Sequence, residues 1–337
     1  MELIIFFFSK SQWLKILLGF FLSGLCLFYI SIKIDYNIIL KLVKFNSYSF
    51  IFIASLSLIL GYSFRVYRWY FILNEFDQPN KPSLLIPTYF VSIALNNILP
   101  LRLGDIIRVL FFSNFIGIRR ISNASSLFVE KIYDIIWIIL IFFLSIFILN
   151  FENLIKPDTF FIFVIPIIIF VLLFIMRTDF KFLKKKFSNI RITKQIIKFL
   201  NQTKLLFDFK NFLIISLITL AIWFFEAGLY WYMFLFLDIK SNFMLALLIM
   251  STATLSTMFP STPGYFGTFH LAIISVLSLS NNDIETITMY AIITHLNLWL
   301  TTTLIGTFLI LLNLDLFKSI KMRNFHQYVT KFKNGKL

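Results

Sequence analysis

A chain of 337 residues that is 59% hydrophobic, with 45 phenylalanines and a mean hydropathy of +0.87, carries more apolar side chain than a soluble core of this length buries. Lys and Arg total 31 against 16 Asp and Glu, a net charge of +15. The basic residues collect between apolar runs and no nucleic-acid motif accompanies them, which excludes nucleic acid as the partner. One cysteine, Cys26, and three scattered histidines, His270, His295 and His326, exclude a disulfide framework and a thiolate or paired-histidine metal site, so no cofactor is expected.

The first apolar run, about 14–32, follows Lys10 and Lys15 and has no small-x-small cleavage site after it, so it reads as a retained helix. The second, 48–70, ends in FRVYRWYF. Arg65 and Arg68 fall at its cytoplasmic end, where Arg68 is expected to snorkel to the interface and Arg65 is a candidate coupling residue. Residues 84–99 form a shorter apolar arm, followed at once by LPLRLGDIIR and a second short arm, VLFFSNFIG. Full spans come next at 126–149, with VEKIYD near its start, and at 159–177. The span 210–236 holds Glu226 beside Trp223 and Trp231, a candidate coupling carboxylate for which a neutral acid is the alternative. Residues 243–259 form another short arm, followed by PSTPGYFG and TFHLAIISVLSLS, and the last span is 285–312.

Each short arm has only about 13–17 residues, fewer than a hydrocarbon core of roughly 30 Å requires. The expected fold is therefore an all-α polytopic membrane protein of about six spanning helices plus two re-entrant helical hairpins, with eight spanning helices as the alternative. It forms a single membrane unit over 1–317, with halves at about 14–149 and 159–312, and a basic tail at 318–337. The segment 177–210 holds ten basic residues against Asp179 and Asp208, and Arg119, Arg120 and the tail are basic as well. By the positive-inside rule both termini and this segment lie in the cytoplasm, with the chain in the inner (cytoplasmic) membrane; Lys33, Lys41 and Lys44 run against the pattern. The 177–210 segment leaves no room for a soluble catalytic domain.

Placing Pro100 over Pro260 puts Gly104 over Gly264, and three full spans separate the two hairpins. An odd number makes them enter from opposite faces, which gives two halves of inverted topology, the pattern of a transporter whose site lies between broken helices. Gly104 is expected to end a turn and start a helix near Asp105, whose free N–H groups, with Arg102 and Arg108, would attract an anion. Asp105 is positioned to hold an arginine through an i,i+3 pair. Asn96 and Asn97 supply polarity at the end of the first arm. Glu130 and Asp134, at i,i+4, need a cation nearby, and Arg102 or Arg108 would serve. An internal ion-pair cluster that only stabilises the hairpin is the other reading of these groups. In the second hairpin Pro260, Pro263, Gly264 and Gly267 crowd into eight residues, in a chain with only 8 Pro and 10 Gly. His270 follows one turn later and is expected, like His295, to be a hydrogen-bonding residue.

Arg-x-x-Arg-Trp at 65–69, N-x-x-L-P-x-R-x-G-D-x-x-R at 96–108, Glu-x-x-x-Asp at 130–134 and P-x-x-P-G-x-x-G at 260–267, in this order, resemble the lysylphosphatidylglycerol synthase transmembrane-region family. This is the flippase-like membrane half of the multiple peptide resistance factor. The resemblance covers about residues 10–315 and implies a helical membrane protein linked to translocation of lipids or polyprenyl-linked lipids; it does not imply lysyl transfer. Lys131 stands where the family pattern tends to have Arg, and His270 where it usually has Glu. The expectation is a translocase for an anionic phospholipid or polyprenyl-linked lipid, with membrane lipids as partners and the oligomeric state open. The alternatives are a membrane-embedded glycosyl or lipid transferase and a non-transporting accessory protein.

Overall fold

The structure is a computed structural model that describes residues 48–150, 199–203, 208–258, 262–279 and 282–313, together with Phe21, Leu25, Phe28 and Ile32. The rest of the run 14–32, the span 159–177, most of the segment 177–210, Pro260 and the tail lie outside the described residues. All regular structure among the described residues is helical. Among the described residues four helices are long and apolar enough to cross a membrane: α1 (Tyr48–Asn74), α5 (Arg120–Ile148), α6 (Phe209–Phe236) and α9 (Ile284–Leu312). At 1.5 Å per residue each is about 40 Å long. They match the spans expected at 48–70, 126–149, 210–236 and 285–312.

Two broken elements lie between them. The first runs through α2 (Leu85–Ile98), a short turn at Pro100–Arg102, α3 (Leu103–Ile107), a π-helical turn at Arg108–Phe112 and α4 (Ser113–Ile116). Gly117, at φ 76°, ends it. The second runs through α7 (Phe243–Ser256), a turn at Pro263–Tyr265 and α8 (Thr268–Leu277). The 14 residues of α2 and of α7 rise only about 21 Å. The arms are too short to span and their tips meet, which favours hairpins over eight spans.

Packing between the halves is reciprocal. α1 runs along α6, α2 packs on α9, and α7 packs on α5. Exchanging α1 with α6, α2 with α7 and α5 with α9 reproduces the same neighbours, the relation expected of a two-fold repeat. Small residues let the backbones close. Ser57 on α1 donates to the Phe225 carbonyl at 2.6 Å, and a Cβ on Gly228 would strike its hydroxyl. A Cβ on Gly306 of α9 would lie 2.7 Å from the Phe90 carbonyl of α2.

The repeat has a different register from the one expected. Pro100 and Pro263 each open a three-residue turn, followed by two left-handed residues: Leu101 and Arg102 at φ 56° and 53°, then Gly264 and Tyr265 at φ 72° and 62°. The conformation therefore pairs Pro100 with Pro263, three residues beyond the identity-based match to Pro260. Gly104 also has another role. The positive φ falls on the two residues before α3, and Gly104 sits inside the helix where α2 and α3 touch. A Cβ there would collide with the Ser92 carbonyl and lie 2.7 Å from Asn96 Oδ1.

Helix α5 starts six residues earlier than expected. Ser122, Asn123, Ser125 and Ser126 are polar but fully buried, because each finds a partner in the interior. Asn123 donates to the Arg108 carbonyl at 2.8 Å and to Ser113 at 2.9 Å, Ser126 accepts from Trp69 Nε1, and Gln202 bonds Ser122 and Ser125. A π turn displaces backbone carbonyls from the helical ladder, and Asn123 serves the one at Arg108. Before this helix, the Arg119 backbone N–H and Nε both donate to Asp77 Oδ2, at 2.8 and 2.9 Å.

Two predictions rest on these contacts. Gly104→Ala should cost about 1–3 kcal/mol through overpacking, read as a lower melting midpoint in detergent; an unchanged midpoint contradicts the close approach. Partial burial opposes ionisation of Asp77, but the Arg119 N–H and guanidinium outweigh it and hold the carboxyl below its usual range. A lowered folded value gives stability that is full above the unfolded pKa of about 3.9 and is lost as pH falls through the folded value. Asp77→Asn should therefore lower the midpoint at neutral pH and converge with the parent in acid.

Candidate functional site

Charged side chains from four elements converge in the apolar interior. On α1, Arg65 and Arg68 share a face at i,i+3. Arg68 is fully buried and donates to Asp134 Oδ1 of α5 at 2.9 Å and to Thr219 of α6 at 2.8 Å. Snorkelling, expected for Arg68, does not occur, because a carboxylate and a hydroxyl await it inside. Arg65 donates to Glu226 Oε2 of α6 at 2.6 Å and to Asp134 Oδ2 at 3.4 Å. Its guanidinium lies 4.6 Å from the Trp223 ring centre and 5.5 Å from that of Tyr62. Glu226 is thus an ion-pair partner and not a lone acid.

The first hairpin supplies a second set. Arg108, 1% exposed, donates to Glu130 Oε1 at 2.5 Å and sits between the rings of Trp69 and Tyr89, at 4.5 and 4.9 Å. Asp105 forms no i,i+3 pair with either arginine: it meets Lys131 at 3.4 Å, and Asn96 donates to it at 3.0 Å. Asn96 Oδ1 accepts the Asp105 N–H at 3.1 Å. That bond caps α3 from across the hairpin, so the Asp105 N–H is not a free anion donor as expected. The cation expected near Glu130 and Asp134 is Arg108 for the first and the Arg65–Arg68 pair for the second. Arg68 and Lys131 complete the network, and their place in it follows only from the crossing of α1, α5 and α6.

The two tips meet at Arg102, whose Nη2 donates to the Thr257 hydroxyl at 3.1 Å and to its carbonyl at 3.2 Å. The Arg102 guanidinium also lies 5.7 Å from the Tyr265 ring centre. Asn97 bolts the first tip to α9 by donating to Thr302 and Thr303, each at 2.9 Å. Below the tips a cavity of about 770 Å³ opens between α1, α5, α6, α9 and both hairpins, a volume within the range of small-molecule sites. Asn96, Asn97, Arg102, Asp105, Arg108, Glu130, Asp134, Gly264, Arg65 and Glu226 all line it. Gly104, Pro263, Gly267 and His270 do not: Gly104 and Pro263 shape the tips, and Gly267 and His270 form the start of α8. Tyr62, Tyr89, Trp223, Tyr265 and His295 also line the wall. These aromatics are hidden by the bias of the whole sequence, where 19% of residues are Phe, Trp or Tyr.

Among the described residues the lining carries four cations, Arg65, Arg102, Arg108 and Lys131, and four carboxylates, Asp105, Glu130, Asp134 and Glu226. Each carboxylate has a cation within 3.4 Å. Among the described residues, Arg102 is the cation on this wall with no carboxylate within ion-pairing distance.

The family model described as "Lysylphosphatidylglycerol synthase TM region" matches residues 16–306. The chain belongs to this family. The lysylphosphatidylglycerol synthase transmembrane-region match spans both hairpins and every charged group on the cavity wall. The chain is also similar to the UPF0104 membrane protein MJ1078 of Methanocaldococcus jannaschii, 26% identical over 191 residues, covering 56% of this chain and 81% of that protein. No solved structure matches it. The helical fold and the family together make this a membrane protein.

Removing one member of a buried ion network leaves a desolvated charge behind, at about 3–5 kcal/mol. Asp134→Ala should therefore lower the melting midpoint in detergent strongly, by stranding Arg68. The double variant Arg68→Met, Asp134→Leu should recover most of the loss, and a double variant no better than the single one would refute the charge-burial account.

Proposed function

We propose that this protein translocates a lipid with an anionic head group between membrane leaflets. The observation that carries the reading is Arg102, a guanidinium with no carboxylate partner among the described residues, held where two short hairpins meet at the wall of a cavity of about 770 Å³. A phosphate is the natural complement of such a group, because a guanidinium binds it through paired charge-assisted hydrogen bonds. Arg108 stands behind Arg102 with its charge already balanced by Glu130. The acyl or prenyl portion remains in the bilayer while the head group enters between the tips.

In this reading the halves rock about the α1–α6 contact, exposing the head-group site to one side and then the other. Arg65, shared by Asp134 of α5 and Glu226 of α6, is the coupling element that exchanges carboxylates as those helices shift. In this reading the chain sits in the inner membrane with both termini in the cytoplasm, which the basic loops support. An anionic phospholipid and a polyprenyl-linked lipid both present the required phosphate.

In proteoliposomes containing a fluorescent anionic phospholipid or a labelled polyprenyl phosphate, the parent protein should move label between leaflets, read by dithionite quenching or enzymatic accessibility. Arg102→Gln should reduce the rate at least tenfold, equivalent to about 1.4 kcal/mol, with an unchanged melting midpoint. Full activity in the double variant Arg102→Ala, Arg108→Ala sinks the proposed site. No movement of either lipid by the parent sinks the translocase reading.

A further inference from the structure

The second hairpin tip is fastened by two histidines whose protonation the backbone dictates. Gly267 N–H donates to His270 Nδ1 at 3.3 Å, His270 Nε2 faces His295 Nδ1 at 3.3 Å, and His295 Nε2 faces the Gly264 carbonyl at 2.8 Å. The two ends of this chain are backbone groups that cannot change roles. A carbonyl only accepts, so His295 carries its proton on Nε2 and leaves Nδ1 bare. A bare Nδ1 only accepts, so His270 donates from Nε2. Its own Nδ1 is then bare, as the Gly267 N–H requires. One arrangement satisfies all three contacts, with both rings neutral and both protonated on Nε2. An added proton on either ring would set donor against donor.

We infer that His270 and His295 are positioning residues, a directional pair that ties the Gly264–Gly267 loop to α9 and so fixes the tip on which the head-group site depends. The pair is buried against the rings of Phe266 and Phe269, the latter stacked on His295 at 4.5 Å. Among the described residues, no carboxylate lies within 4 Å of either imidazole. Gly264, whose carbonyl ends the chain, lines the cavity and presses on the first tip: a Cβ there would lie 3.2 Å from the Asn97 carbonyl. Tyr265, the next residue, is the ring over which Arg102 lies. Losing the pair therefore displaces the wall that Arg102 rests against without touching Arg102. Gly267 has no side chain of its own to cap α8, so His270 Nδ1 takes its N–H, beside the Thr268 hydroxyl that donates to the Tyr265 carbonyl at 3.4 Å.

The part of this inference that concerns transport rests on the translocase reading; the part that concerns the rings does not. Nitrogen-15 spectra of histidine-labelled parent protein, assigned with single variants, should show a protonated Nε2 and a bare Nδ1 on both rings at neutral pH. In His295→Leu the His270 Nε2–H resonance should leave its hydrogen-bonded position, whereas His295→Gln, which keeps one acceptor and one donor, should largely preserve it. Translocation should fall at least tenfold in His295→Leu and stay within threefold of the parent in His295→Gln. An Nδ1-protonated or doubly protonated ring in the parent overturns the inference, as does an identical His270 resonance in the two variants. If the parent moves no lipid, the translocase reading fails while the spectra still decide whether the pair exists. The parent spectra also make the result independent of how well any variant folds.

Discussion

Ionised groups in an apolar interior must be neutralised in place, and the arrangement of this protein follows from that constraint. A carboxylate or guanidinium taken out of water loses solvation worth several kcal/mol, which only a close partner of opposite sign and further hydrogen bonds offset. The partners here come from different helices: Arg68 of α1 with Asp134 of α5, Arg65 of α1 with Glu226 of α6, and Arg108 of the first hairpin with Glu130 of α5. Each pair is therefore also a tertiary clamp, specifying how α1, α5 and α6 cross more sharply than apolar packing does. Within this balanced set Arg102 is the exception among the described residues: its guanidinium lies between the tips and bonds the hydroxyl and carbonyl of Thr257.

The hairpins make such a site possible. Backbone that leaves the helix at membrane depth is tolerated only where protein or a wet cavity receives it. Both tips meet that condition in the same way, with a proline opening a turn and two left-handed residues reversing the chain. For leucine and arginine that conformation is unfavourable, and it is held by the Asn96–Asp105 exchange and by Asn97 reaching α9. In the second tip glycine takes one of the two positions, and the histidine pair supplies the tether. The two tips thus use different chemistry for one geometry, and they touch through Arg102, Thr257 and Tyr265.

Much of this was readable in the one-dimensional pattern. The four described spans, the shortness of the hairpin arms and the polarity of NNILPLRLGDIIR all follow from hydropathy, and ten of the fifteen candidate residues do line the cavity. What misled was local reasoning about charge. Arg68 stands at the polar end of an apolar run, where snorkelling is the ordinary outcome, and nothing in FRVYRWYF reveals that Asp134 waits opposite. Asp105 has arginines three residues away on both sides, yet it is Lys131 and Asn96 that reach it. Hydropathy sets the start of α5 late because SNASS is polar, and it carries no sign that Trp69, Arg108 and Gln202 satisfy that polarity.

The sequence by itself determined the class: a helical membrane chain, two interrupted segments, and a set of ionisable groups too costly to place in lipid without partners. Composition and periodicity carry that information because transfer free energy depends on each residue's own chemistry. The pairings were decided only by the tertiary structure. Which carboxylate meets which guanidinium, which proline matches which across the repeat, and that His270 and His295 share a hydrogen bond all depend on the approach of segments up to 161 residues apart. A hydrogen bond needs its partners within about 3.5 Å and an ion pair is strongest at contact, so the pairings are fixed by helix crossing and not by spacing along the chain.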